Sequence, residues 1–237
     1  MSARAMLTAG LAAGAAWSLP ALAPVVPPVA GALRVPLRRP GAAGVALTFD
    51  DGPHPQGTPA TLEILAAAGA HATFFLVGEQ VRAHPALAAE IVAAGHPVAI
   101  HGDRHRNLLR LTPQALADDL DRAAATIGEV TGAAPTLHRP PYGIYSYTGL
   151  ALVRRRGWRP LLWSRWGRDW SARQSAQAIS ARLTRDLSAG DVLLLHDADW
   201  YSDPGSWRAT VAALPRVLER IGEAGLPVDV AGLPSST

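Results

Sequence analysis

From residue 45 onward, short apolar runs alternate with longer helix-like segments, and Gly or Pro marks the changeovers. The runs at 45–49, 72–77, 97–100, 136–138, 160–163, 192–195 and 227–230 predict strands. Between them, 59–68, 85–94, 112–127, 175–187 and 207–224 predict helices. The boundaries have local causes. Gly69 and Gly95 sit just past helix ends, where the left-handed conformation carries no side-chain clash. Thr112 can accept a backbone hydrogen bond as N-cap, and Pro113 suits the first helical position. Strand followed by helix, repeated about seven times, implies an α/β fold with parallel strands joined by right-handed crossovers, closed as a barrel or open as a doubly wound sheet. Asp50, His101, Arg139 and His196 fall at or just after the ends of separate strand candidates, an arrangement that favours the barrel.

With 237 residues, 49% of them hydrophobic, the chain can bury a full core in one catalytic domain. Its formal charge of +3 suggests an acidic partner until the charges are located. All 22 basic residues are Arg, and Arg4, Arg34, Arg38 and Arg39 precede residue 41, where no acid occurs. The remainder holds 18 Arg against 19 acids, so the basicity belongs to the N-terminal segment and a nucleic-acid partner is not expected. No charge occurs over 5–33, and residues 1–40 are read as an apolar signal or membrane-anchor segment ahead of a domain at 41–237. Pro20, Pro24, Pro27 and Pro28 interrupt that stretch, and Ala21-Leu22-Ala23 resembles a cleavage triplet. A disordered Ala/Pro-rich leader is the plainer alternative. Zero cysteines exclude disulfides, thiolate metal sites and Cys nucleophiles.

Candidate chemistry concentrates in two short motifs. Thr48-Phe49-Asp50-Asp51-Gly52-Pro53 sets two adjacent carboxylates where an apolar run breaks into a Gly-Pro turn. His101-Gly-Asp-Arg-His105 spaces two imidazoles i, i+4, so they could converge on one metal together with a carboxylate. A histidine pair alone is weak evidence, but a second constellation with the missing carboxylate at another strand end strengthens it. A hydrolytic metal site is the expectation.

These motifs, with Arg139-Pro140-Pro141-Tyr142-Gly143, Asp169-Trp170 and Leu193-Leu194-Leu195-His196-Asp197, resemble in order and spacing the polysaccharide deacetylases of carbohydrate esterase family 4. The resemblance covers roughly 44–200 and implies a distorted (β/α)7-type barrel in a single catalytic domain. It implies Asp51, His101 and His105 as ligands of a divalent metal, Zn²⁺ first and Co²⁺ or another ion as alternatives. Asp50 becomes the general base, held by Arg139, and His196 the general acid, oriented by Asp169. The backbone N–H of Tyr142 would stabilise the oxyanion, while Leu194 and Trp170 would contact the acetyl group. The implied partner is an acetylated glycan such as peptidoglycan or a chitin-like polymer, losing N-acetyl or O-acetyl groups. An enzyme exported to the cell envelope or secreted is expected, with possible membrane attachment. An inactive carbohydrate-binding module on the same fold and a metal-free glycosidase are the competing readings.

One position departs from the pattern. The family has Ser or Thr after the first histidine of its second motif, whereas this chain has Gly102, and Asp103 or Asn107 is expected to supply the missing hydrogen bond. Trp158, Trp163, Trp166, Trp170, Trp200 and Trp207 enrich the second half in indole, for sugar stacking or for core packing.

Overall fold

The computed structural model describes residues 14–232, so 1–13 of the expected leader and 233–237 of the domain lie outside the described residues. A short helix α1 (Pro27–Ala32) precedes the barrel. Then follow β1 (Val45–Asp50), α2 (Gly57–Ala67), β2 (Thr73–Leu76), α3 (Gly78–Ala83), α4 (Pro85–Ala93), β3 (Val98–Ile100), α5 (Pro113–Thr131) and β4 (Leu137–His138). The second half runs through α6 (Tyr147–Arg155), β5 (Arg159–Pro160), β6 (Arg165–Trp166), α7 (Ala176–Leu183), β7 (Val192–His196), α8 (Trp207–Glu223) and β8 (Val228–Asp229). Every strand pairing is parallel, in the order β5-β4-β3-β2-β1-β7-β6, with β8 beside the start of β1. This is the α/β architecture expected, a curled parallel sheet forming a half-barrel with helices outside it.

The sheet is buried on both faces, which is why its strands read as unbroken apolar runs instead of alternating ones. Alternation survives in which core each side chain joins. Val45, Leu47 and Phe49 of β1, Phe74 and Leu76 of β2, and Leu193 and Leu195 of β7 pack outward against the helices. There the Phe49 and Phe74 rings stack at 5.1 Å, a contact worth about 1 kcal/mol beyond its buried area. Ala46, Phe75, Val192 and Leu194 belong to the inner cluster. By the same alternation Thr48, Asp50 and His196 share the inner face, so a parity set by hydrophobic burial aims the polar strand ends into the barrel.

Two helix signals act as expected. The Thr112 hydroxyl accepts the Ala115 N–H at 3.2 Å, and the glycines past helix ends, Gly69 and Gly95, take φ 59° and 83°; α5 itself runs to Thr131, four residues beyond the expected stop. Elsewhere the pattern was misleading. The expected strand at 160–163 pairs with β4 only through Arg159–Pro160, after which Leu161, Leu162 and Trp163 turn into the inner core. β6 and the six-residue α3 escaped notice because neither is long enough to display a period.

The segment expected to stand apart as a leader touches the barrel. Ala23, Ala30 and Val35 are buried in the inner cluster, and Leu33 and Leu37 pack against it. Among the described residues no helix is long and apolar enough to cross a membrane.

Candidate active site

β1 delivers the two carboxylates to the barrel mouth in different ways. Asp50 is the last strand residue, its Cα paired with that of His196 on β7. Asp51 takes φ 78°, a left-handed conformation that few residues other than Gly adopt, and this swings it out of the strand's alternation. The chain then passes through Gly52 and a cis Pro53.

Asp51, His101 and His105 converge: one ligand atom from each lies within 4.8 Å of the others. Asp51 Oδ1 stands 3.3 Å from His101 Nε2 and 3.4 Å from His105 Nε2. It is buried without a hydrogen-bond partner among the described residues. His101 Nδ1 lies 2.9 Å from the carbonyl oxygen of Arg139; as the donor to that oxygen it leaves the Nε2 lone pair facing Asp51. An orphaned buried carboxylate oxygen between two imidazole nitrogens fits a divalent cation, which would satisfy all three. Burial would raise the Asp51 pKa, but the His101 imidazole beside it and the neighbouring His196 and His105 outweigh it and hold the carboxyl at about 2. Burial pushes His105 down to about 4, the state a ligand requires.

Among the described residues no hydrogen bond fixes the His105 side chain; aromatic rings do. Tyr201 stacks on it at 4.2 Å with 7° between planes, and Tyr142 meets it edge-on at 4.5 Å. The Tyr201 hydroxyl donates to Glu79 at 2.6 Å and accepts from Gln80 at 2.9 Å, so two residues of α3 hold the stacking ring. The loop between the histidines is braced by Asp119 of α5, which accepts the Asp103 N–H at 2.9 Å and pairs with Arg106 at 2.5 Å. Neither residue expected to do this does so. The Asp103 carboxylate is engaged by Arg82 and Arg122, and the Asn107 side chain caps the turn at Leu109. Gly102 itself has φ 94°.

Arg139, from the end of β4, is fully buried beneath Asp50. Its Nη1 donates to Asp50 Oδ1 at 2.6 Å and to the Thr48 hydroxyl at 3.0 Å; Nε and Nη2 reach the Leu161 and Leu162 carbonyl oxygens at 3.1 and 2.9 Å. The guanidinium also lies 4.0 Å from the Phe75 ring centroid. Burial lowers its pKa and the Asp50 charge opposes that, leaving a cation pinned on every side. On the opposite wall, Asp169 Oδ1 is 3.0 Å from His196 Nδ1, while Oδ2 accepts the His196 N–H at 2.7 Å and the Thr210 hydroxyl at 2.9 Å. Burial alone would lower the His196 pKa; the Asp169 charge and hydrogen bond, aided by Asp51 and Asp50, raise it to about 10.

Asp50, Asp51, His101, His105, Tyr142, Trp170, Leu194 and His196 all line one cavity of about 330 Å³, while Arg139 and Asp169 support it from behind. Trp163, Trp166 and Trp170 form a run of rings along its wall, 6.0 and 5.1 Å between neighbours. Tyr142 adopts φ 61° after two prolines, and the N–H groups of its successors Gly143 and Ile144 are taken by Pro140 and Pro141. Asp119, Tyr201 and Thr210 also serve the site, and no motif marks them; Thr48 opens the first motif without a role assigned to it there.

The polysaccharide deacetylase profile matches residues 38–161. A chitooligosaccharide deacetylase from Bradyrhizobium sp. (strain ANU 289) is 36% identical over 177 residues, 74% of this chain and 79% of that protein. The chain belongs to the polysaccharide deacetylase family. Membership makes it a hydrolytic deacetylase. Among solved structures, the Bc1960 peptidoglycan N-acetylglucosamine deacetylase aligns with TM-score 0.75 at 27% identity, over 83% of this chain and 88% of the other. A pseudoenzyme of this deacetylase family from Bacillus anthracis aligns with TM-score 0.73 at 25% identity, over 81% of this chain and 65% of the other.

Proposed function

We propose that this deacetylase removes N-acetyl groups from an amino-sugar polymer or oligomer, of the chitin-like or peptidoglycan kind, in a metal-dependent reaction. The observation that carries the reading is the buried, unpartnered Asp51 Oδ1 facing the two Nε2 atoms. A divalent cation held by Asp51, His101 and His105, most simply Zn²⁺, would polarise the acetamido carbonyl and acidify the attacking water.

The remaining steps belong to the protein. Asp50 accepts the proton of the attacking water, while the Arg139 grip on Oδ1 fixes the carboxylate and leaves Oδ2 towards the pocket. The Tyr142 N–H stabilises the oxyanion from a loop stiffened by Pro140 and Pro141. His196 protonates the departing nitrogen, so that an amine leaves instead of an amide anion. Asp169 at Nδ1 directs the other ring nitrogen inward. Leu194 and Trp170 wall the space for the acetyl methyl. O-acetyl esters would be cleaved by the same groups with less need of the acid. Export to the cell envelope or secretion, where a wall polymer would be reached, belongs to the proposal.

Because one fold neighbour is a pseudoenzyme, the side chains and not the fold argue for turnover. A sugar-binding module needs neither a base locked to a buried arginine nor an imidazole charged by a buried acid. The test is acetate release from N-acetylglucosamine oligomers by the full chain, before and after chelation and after Zn²⁺ or Co²⁺ is restored. Release that stops with chelator and returns with metal is expected; release indifferent to metal would reject the metal site. Absence of release from every acetylated glycan tried would favour the binding module.

A further inference from the structure

β5 and β6 are the two edges of the half-barrel, and the chain crosses between them at Leu162 and Trp163, after the Leu161 N–H donates to His138 of β4 and before the Ser164 N–H donates to Val192 of β7. The N-terminal segment fills that seam. The Pro36 carbonyl accepts the Leu162 N–H at 2.9 Å, and the Arg39 N–H donates to Gly190 at 2.7 Å. Arg38 makes an antiparallel bridge to Asp191 with an ion pair at 2.9 Å. Ala23, Ala30 and Val35 are at most 2% exposed and share the inner core with Leu161, Leu162 and Trp163. None of these three lies within the stretch matched by the family profile, which starts at residue 38.

Two groups of the proposed site rest on this seam. The carbonyls of Leu161 and Leu162 are two of the acceptors that orient Arg139, and Arg139 holds Asp50. A Cβ on Gly143 would meet Trp163 at 2.5 Å and Pro24 at 3.1 Å, so Pro24 and Trp163 together back the loop that presents Tyr142. Tyr142 sits at φ 61°, a conformation that persists only where the surroundings enforce it.

We propose that residues 19–39 are a strap belonging to the catalytic domain, which closes the β5–β6 seam and positions Arg139 and the Tyr142 loop. The domain boundary then lies before Leu19 and not at residue 40. Cleavage after Ala23 would remove buried Pro20 and Ala23 from the core. The positioning part rests on the roles proposed above for Arg139 and Tyr142; the placement of the strap does not.

Amide hydrogen exchange on the full chain tests the placement. The amides of Leu162 and Val35 should exchange as slowly as those of β7, since each is bonded within or across the strap. Exchange at the rate of an open chain end would overturn the strap. Pro24→Ala tests the positioning: kcat should fall about tenfold, because small displacements of an oriented donor are costly. KM, zinc affinity and melting temperature should stay near those of the parent. Leu22→Ser, at an exposed position of the same segment, should leave kcat unchanged. Equal kcat in Pro24→Ala and the parent would overturn the positioning. If the parent itself released no acetate, the functional reading would fail, and amide exchange would still decide the strap.

Discussion

The wall of the pocket that follows β3 and the wall formed by β7 each present a histidine, and the two are backed by opposite kinds of neighbour. Behind His105 stand aromatic rings and, among the described residues, no acceptor for Nδ1, and burial takes its pKa down to about 4. Behind His196 stands Asp169, buried and aligned on both Nδ1 and the backbone N–H, and the pKa rises to about 10. The same side chain is thus held neutral on one wall and charged on the other. Groups whose surroundings drive them apart in this way divide the labour of acid–base chemistry. Asp50 and Asp51 repeat the division one residue apart, the first gripped by Arg139 and the second turned to the imidazoles.

The largest effects should come from disabling one wall while sparing the other. Asp50→Asn removes the proton acceptor and keeps the shape, so kcat should drop about 10³-fold with bound zinc near one per chain. His105→Ala should cost comparable activity for a different reason, with zinc content falling first. Acetate release measured beside metal content separates the two. Equal zinc loss in both variants would erase the distinction between the walls.

Asp169→Asn should have an intermediate effect, because Asn can still accept the His196 N–H and the Thr210 hydroxyl while losing the charge. The His196 pKa then falls, and kcat should drop about 10²-fold with the alkaline limb of the pH profile moved to lower pH. A linkage effect accompanies this. With its folded pKa of about 10 above the ordinary imidazole value of 6.5, His196 contributes stability that is fully present below about pH 6.5 and is lost as pH rises through 10. Melting temperature measured from pH 6 to 10 should therefore fall more for the parent than for Asp169→Asn. Parallel curves would mean that Asp169 does not set the charge of His196.

The residues proposed as ligands, acid and base could all be located in the sequence because each lies in a short motif at a strand end. In a parallel barrel every strand end opens onto the same mouth. What supports them was not legible, for physical reasons. Thr210 acts from the first turn of α8, Asp119 lies 16 residues from the N–H it accepts, and Tyr201 reaches His105 from beyond β7. None of these contacts leaves a period or a local motif. The apolar runs predict the fold, yet 160–163 reads in sequence as one strand. Three apolar residues entering the inner core look the same in sequence as three entering a sheet. An uncharged stretch also suggests a leader as readily as it suggests a strap packed on a barrel.

The smallest expected effect concerns Gly102, where the family pattern calls for a hydroxyl. Gly102→Ser would seem to restore a lost brace on the ligand loop. The backbone argues otherwise, since φ is 94° there and a Cβ would come within 3.1 Å of the Arg104 carbonyl oxygen and 3.3 Å of Asp119 Oδ2. A side chain in that conformation costs about 1–3 kcal/mol, and the crowded oxygen is the one that accepts the Asp103 N–H. The substitution should thus lower the melting temperature by a few degrees and weaken zinc binding by a few-fold. Asp119→Ala, which removes the brace itself, should weaken zinc binding more than Gly102→Ser does. Tighter zinc binding in Gly102→Ser, by direct titration of the metal-free protein, would mean that the loop follows the family's own bracing and that Asp119 is incidental. Weaker binding in both would place the support of the ligand wall in a carboxylate that this chain carries on a different element.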